Sequence, residues 1–127
     1  MTIKQFFLTY AKSDRGLRER FVAEALERSI PIQFTEMTVK KPWDEQWKTQ
    51  CRYRIRGSSG LIALISPNLE SDAGALWEVR CAVGTGTPIL GIYAAGAGIV
   101  NCPEVLLGKR KANWDWDEIS RSVGPFK

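Results

Sequence analysis

Two uninterrupted apolar pentads, Leu61-Ile62-Ala63-Leu64-Ile65 and Ile89-Leu90-Gly91-Ile92-Tyr93, constrain this chain more than any other feature. A half-buried strand alternates apolar and polar residues, whereas a strand apolar throughout needs cover on both faces. The stretch between the pentads, from about Asp72 to Val83, is long enough for a helix and rich in Ala, Leu, Trp, Val and Cys. Parallel neighbours require a crossover of that kind. Ile3 to Tyr10 is a further apolar run suited to a central strand, and Ile32-Gln33-Phe34-Thr35 reads as a shorter one.

The segments between them carry helical spacing. Phe21, Val22, Ala25 and Leu26 follow Leu17 on one face, with Ser13 or Asp14 as a cap and Pro31 as the stop. Thr38 to Asp44 is a polar connection containing Lys40-Lys41-Pro42-Trp43, and Asp44 is placed to cap the next helix. There Trp47, Cys51 and Ile55 recur at spacing four, and Gly57-Ser58-Ser59-Gly60 ends the pattern. Beyond the second pentad, Ala94 to Gly98 reads as a loop. A last strand is expected near Val105, then a helix capped by Asn113 with Trp116 and Ile119 turned inward. Alternation of this kind predicts one α/β domain spanning residues 1–127. Its form is a flavodoxin-like three-layer sandwich with a mainly parallel five-stranded sheet in the order 2-1-3-4-5.

Composition narrows the chemistry. The chain of 127 residues is 44% hydrophobic and 25% charged, as in ordinary globular domains. No apolar run approaches the roughly 20 residues of a membrane span, and the N-terminus lacks a signal-peptide pattern, so no membrane association and a cytoplasmic location are expected. There is no histidine, which removes Ser-His-Asp and Cys-His catalysis and most zinc enzymes. Cys51, Cys81 and Cys102 form no close pair and suit free thiols, so no metal is expected. The net charge of +4, with Arg52, Arg54 and Arg56 in one cluster and Lys109-Arg110-Lys111 in another, is modest. No nucleic-acid motif accompanies it, and no nucleic-acid partner is expected.

Phosphate-cradle motifs are missing. Gly84-x-Gly86 follows a helix and precedes a strand, the reverse of a dinucleotide fingerprint, and suits a helix cap. A phosphoacceptor site would need an Asp after the third strand, where Ser66-Pro67-Asn68 stands instead. Glu78 remains. Set among Ala75, Leu76, Trp77, Val79 and Cys81, it lies just beyond the C-terminal end of a buried strand, where open α/β sheets bind ligands. It suits either a catalytic acid or a charge that complements the helix dipole.

Phe6-Phe7-Leu8-Thr9-Tyr10-Ala11-Lys12-Ser13-Asp14 resembles the opening strand and loop of TIR domains. Leu64-Ile65-Ser66-Pro67-Asn68, then Ser71 and Trp77-Glu78, resembles a second TIR segment. The likeness is closer to the bacterial TIR-like proteins of the Thoeris anti-phage type, with counterparts in Trp77-Glu78-Val79, in Gly86-Thr87-Pro88-Ile89-Leu90-Gly91-Ile92 and in Trp114-Asp115-Trp116-Asp117-Glu118-Ile119. Thr9 stands where that family has Ser. Trp77 adjoins Glu78 where the family keeps a spacer, so Glu70 and Asp72 are the other carboxylates to weigh.

The resemblance implies cleavage of the nicotinamide–ribose bond of NAD, giving ADP-ribose or a cyclic isomer as an immune signal. NAD is then the substrate, and no cofactor is implied. Glu78 would be the catalytic carboxylate, steadying an oxocarbenium-like transition state. Phe7 (or Phe6), Tyr10 and Trp43 would stack on the rings, and Arg15 or Lys12 would meet the pyrophosphate. Thr9, Asp14, Ser66, Ser71 and Trp77 complete the implied binding set. Self-association on activation and a separate effector that reads the product are also implied. The alternatives are a non-catalytic adaptor that assembles with other TIR domains and, on a related fold, a nucleoside deoxyribosyltransferase.

Overall fold

The computed structural model describes residues 3–126. Five strands, β1 (Lys4–Thr9), β2 (Ile32–Thr35), β3 (Gly60–Ile65), β4 (Ile89–Tyr93) and β5 (Arg110–Asn113), form one sheet in the order β2-β1-β3-β4-β5. Every pairing is parallel. This is the expected flavodoxin-like order.

Four helices cover the two faces: α1 (Arg15–Glu27), α2 (Glu45–Arg56), α3 (Ala73–Thr85) and α4 (Trp116–Val123). On one face Phe7, Leu61, Ala63 and Ile65 pack with Trp47, Cys51 and Ile55 of α2 and Ala75, Val79 and Ala82 of α3. On the other, Phe6, Leu8, Ile62 and Leu64 pack with Phe21 and Ala25 of α1 and Trp116, Ile119 and Val123 of α4. β3 is buried at every position because it has helices on both sides. Each fully buried Leu, Ile or Phe contributes roughly 1.5–3 kcal/mol.

Local signals explain most element ends. Asp44 caps α2 by accepting from the Trp47 N–H at 2.8 Å, an interaction that contributes about 1 kcal/mol. Gly86 ends α3 in the left-handed region (φ 71°), which glycine adopts without Cβ strain. Three expectations need correction. Asp14 precedes α1 but makes no cap bond, because its carboxylate accepts from Ser66 and Asn68 in the loop after β3 instead. Val105 lies in a 3-10 turn (Glu104–Leu106), and the last strand comes later, at Arg110–Asn113. Asn113 is the final residue of that strand, and Asp115 caps α4 by accepting from the N–H groups of Asp117 and Glu118.

The Trp-x-Trp element has a structural role. The indoles of Trp114 and Trp116 donate to Glu24 Oε1 at 2.8 and 2.7 Å, pinning the end of the sheet to α1. These bonds, the Trp116 bond foremost, and the Arg20 guanidinium hold the Glu24 carboxyl at about 2. Among the described residues no helix is long and apolar enough to cross a membrane. Cys51, Cys81 and Cys102 are free.

Candidate functional site

The sheet order reverses between β1 and β3, so the loops after these strands diverge to opposite faces and leave a crevice. Four hydrogen bonds organise it. Ser66, just past β3, donates to the Asp14 carboxylate in the loop after β1. Asn68 Nδ2 donates to the other Asp14 oxygen at 2.8 Å. Asp72 caps α3 through the Ala75 N–H (2.9 Å) and accepts from the Lys12 N–H (2.7 Å), tying α3 to the β1 loop. Asp14, Ser66 and Asp72 are therefore spent on framing the crevice.

Beneath that frame lies Glu78, which is fully buried. Both its oxygens accept from Lys40 Nζ, at 2.8 and 2.7 Å. Lys40 descends from the connection between β2 and α2, and its side chain is only 4% exposed. Gly74 makes this approach possible: four residues before Glu78, it shares Glu78's helix face. A Cβ at Gly74 would stand 2.6 Å from Lys40 Cβ. The Lys40 ammonium also lies 5.0 Å from the centre of the Tyr10 ring. The buried Thr9 hydroxyl is near enough to favour the charged form of Glu78, yet makes no well-formed hydrogen bond. Burial pushes the Glu78 carboxyl up to about 7, against the lowering influence of Lys40 and the Thr9 hydroxyl.

Above the pair opens a cavity of about 380 Å³. Its lining comes from the loop after β1 (Lys12, Ser13), the connection before α2 (Lys40, Pro42, Trp43) and the segment from Asn68 to Gly74 (Asn68, Ser71, Asp72, Ala73, Gly74). Trp43 is 74% exposed, an apolar ring held at the rim. Glu78 does not line this cavity, because Lys40 covers it. A larger cavity, about 820 Å³, lies elsewhere against α2 and contains no acid.

The residues expected to bind substrate divide accordingly. Ser71 and Trp43 line the cavity. Asp14 and Ser66 are buried beside it and bonded to one another. Thr9 faces Glu78 from below. Arg15 opens α1 and is exposed, without lining the cavity. The remaining aromatics lie apart. Phe6 and Phe7 are both fully buried, one in each core, so neither turns to the crevice as expected of one of them. Tyr10 is buried, and its hydroxyl donates to Glu36 at 2.6 Å. Trp77 packs edge-on against Trp47 at 5.3 Å, because the residue next to Glu78 on a helix points to a different face. Glu70 lies exposed in a 3-10 turn.

Lys40 was not anticipated from sequence, where it reads as one of two loop lysines. The available signal was positional: the loop after β2 opens at the same sheet edge as those after β1 and β3, and Gly74 leaves the first turn of α3 without a side chain at that position. Among the described residues no group of His, Cys, Asp and Glu is arranged to hold a metal.

A buried acid at a sheet switch point, covered by a cation beside a small cavity, is set in a fold shared with solved structures. The SEFIR domain of interleukin-17 receptor B superposes with TM-score 0.60 at 13% identity, over 97% of this chain and 94% of that one. The TIR domains of the activated Roq1 resistosome, which recognises the pathogen effector XopQ, match with TM-score 0.49 at 14% identity over 71% of this chain; the match spans 57% of the Roq1 chain. A de novo designed Rossmann 2x3 protein gives TM-score 0.49 at 15% identity, over 94% of this chain and 85% of that one. No protein-family model matches the sequence, and a search of curated proteins gives no match. The SEFIR likeness shows the fold alone: the chain shares the flavodoxin-like α/β architecture of that receptor domain.

Proposed function

We propose that the chain is an NAD-cleaving TIR-like enzyme that releases nicotinamide and forms ADP-ribose or a cyclic isomer, as a signal in anti-phage defence. The observation that supports this reading is Glu78, a wholly buried acid under a cavity of about 380 Å³ at the sheet's switch point. Cleavage breaks the bond between the ribose C1′ and the pyridinium nitrogen. Nicotinamide leaves as a neutral molecule with the bonding electrons, so no general acid is required. The ribosyl cation is stabilised by an ionised carboxylate. Water attack followed by proton loss gives ADP-ribose, and attack by a nucleophile of the same molecule gives a cyclic product.

In this reading the Lys40–Glu78 pair is the closed form. Lys40 leaves Glu78 for the substrate's pyrophosphate, and Trp43 stacks on a ring. Only the ionised carboxylate serves, and burial favours the protonated form, so the rate rises with pH as Glu78 loses its proton. Self-association supplies the opening, and a separate effector reads the product. The test is nicotinamide release from NAD by the pure chain and by activated cell lysate, each with wild type and Glu78→Gln. Loss of at least about 100-fold in the variant supports the reading; no release in either setting, or equal release by both, removes it.

A second reading has its own support. The sealed Glu78 and the fold likeness to a receptor's SEFIR domain favour an adaptor that acts by homotypic assembly, with the ion pair as architecture. Partner binding that survives Glu78→Gln, without NAD turnover, selects it.

A further inference from the structure

The cavity of about 820 Å³ against α2 is independent of the Glu78 site. Strand register creates it. Gln5 pairs with Gln33 and Phe7 with Thr35, which places all four on the sheet face that α2 and α3 cover. The apolar stripe of α2, Trp47-Cys51-Ile55, sits over Phe7 and Leu61. The strip beside β2 is left uncovered, and its residues are polar. Gln5 and Thr35 become the floor of a groove whose wall is Thr49, Tyr53 and Arg56, with Arg52 and Arg54 on either flank.

The groove is strongly positive. Among the described residues none of Arg52, Arg54 and Arg56 meets a carboxylate. Arg54 is held in place by donating to the Glu36 carbonyl at 2.5 Å, and Arg52 rests 5.7 Å from the centre of the Trp77 ring. Tyr53 is 81% exposed between them. β2 pairs with β1 alone, so its outer edge carries main-chain donors and acceptors for an added strand.

We propose that this groove binds a short acidic peptide segment of a partner protein, laid beside β2 with its carboxylates on Arg52, Arg54 and Arg56. Guanidinium forks match carboxylates in a two-bond geometry, and two of the three are already positioned by their neighbours. Thr49 to Arg56 rises roughly 10 Å along the helix, which matches about three residues of extended chain. Successive side chains of an extended segment point to opposite faces, so the recognised motif carries two acidic side chains one residue apart. Single-stranded nucleic acid fits less well, because it needs successive stacking platforms and, among the described residues, Tyr53 is the one aromatic lining the groove.

The experiment is fluorescence anisotropy at low salt with a labelled peptide of alternating glutamate and valine, its lysine–valine counterpart and a short oligothymidylate. The acidic peptide is expected to bind and the lysine peptide not to. An Arg52→Glu/Arg56→Glu variant, with the wild-type circular dichroism spectrum, should bind the acidic peptide at least about tenfold more weakly. Absence of acidic-peptide binding, equal binding by the variant, or tighter binding of oligothymidylate would overturn the proposal. So would a wild-type dimer that the same variant dissolves in sedimentation, since the groove would then belong to a second copy.

Discussion

Glu78 and Glu36 lie on either side of Tyr10, each held by a single cation, and their protons behave oppositely. Burial pushes both carboxyls upward. At Glu36 the opposing bonds win: Arg18 donates from Nε at 2.9 Å and Nη2 at 2.5 Å, and the Tyr10 hydroxyl adds a third bond at 2.6 Å. The Glu36 carboxyl is thereby held below the usual range. At Glu78 the donors come from one ammonium group, the side chain is fully buried, and burial wins. A planar fork at a part-exposed site fixes a charge cheaply, whereas a lysine in a dry site leaves the carboxylate near its titration point. The first arrangement suits a structural clasp and the second a group that changes state.

The largest expected effect follows from removing Lys40. Lys40→Met strands a buried carboxylate and should cost about 3–5 kcal/mol at pH 8. The loss should shrink at pH 5, where Glu78, at about 7, is already protonated. In wild type the folded carboxyl is raised from 4.5 to about 7, so its contribution is fully present below pH 4.5 and is lost as pH rises through 7. Urea denaturation at both pH values measures this. An equal loss at pH 5 and pH 8 would break the contrast between the two acids.

Glu36→Gln should cost about 1.5–3 kcal/mol at neutral pH, the usual loss for bonds to a charged group. Its pH dependence runs the other way. The Glu36 carboxyl is lowered from 4.5, so its stabilisation is present above that value and fades as pH falls through the lowered one. Variant and wild type should therefore converge in acid, read from the same urea series. A gap that widens below pH 4.5 would contradict the clasp.

Gly74→Ala is the next smaller change. The new methyl meets Lys40 Cβ, which must move, at about 1–3 kcal/mol for an overpacked contact. If the pair is a closed form of an NAD-cleaving site, nicotinamide release per molecule rises while thermal stability falls. A fall in both would return Gly74 to a packing role.

These contrasts bear on what the sequence could disclose. β3 and β4 were legible because an all-apolar pentad has few homes outside a covered parallel sheet. Glu78 was legible because an acid amid Ala, Leu, Val and Cys is costly unless used or paired. β5 was not, since Arg110-Lys111-Ala112-Asn113 buries only Ala112 and has no apolar period. Lys40, Glu36 and the partners of Asp14 were hidden for a different reason. These pairings span 38, 18 and 52 residues of sequence, and no local pattern reports a contact made by loops that meet only when the sheet is assembled. Leu26 shows the converse: helical spacing placed it inward, yet it is 81% exposed, because α1 meets the core through Leu17, Phe21, Val22 and Ala25.

Tyr10 links the two sites, its hydroxyl on Glu36 and its ring beside Lys40, and Tyr10→Phe separates them with the smallest perturbation. The ring that lies under the Lys40 ammonium is kept, while the hydroxyl that Glu36 accepts from is removed. The expected cost is about 1 kcal/mol, one hydrogen bond among several on Glu36. The Glu36 carboxyl should then titrate higher, since one of the bonds holding it down is gone. Glu78 should still titrate near 7, because neither its burial nor Lys40 depends on the Tyr10 hydroxyl. Carbon-detected NMR titration of the two carboxyls reads both at once. A shift of Glu78 as large as that of Glu36 would mean that the clasp and the changeable pair form one coupled network, and that Lys40 answers to Arg18 through Tyr10.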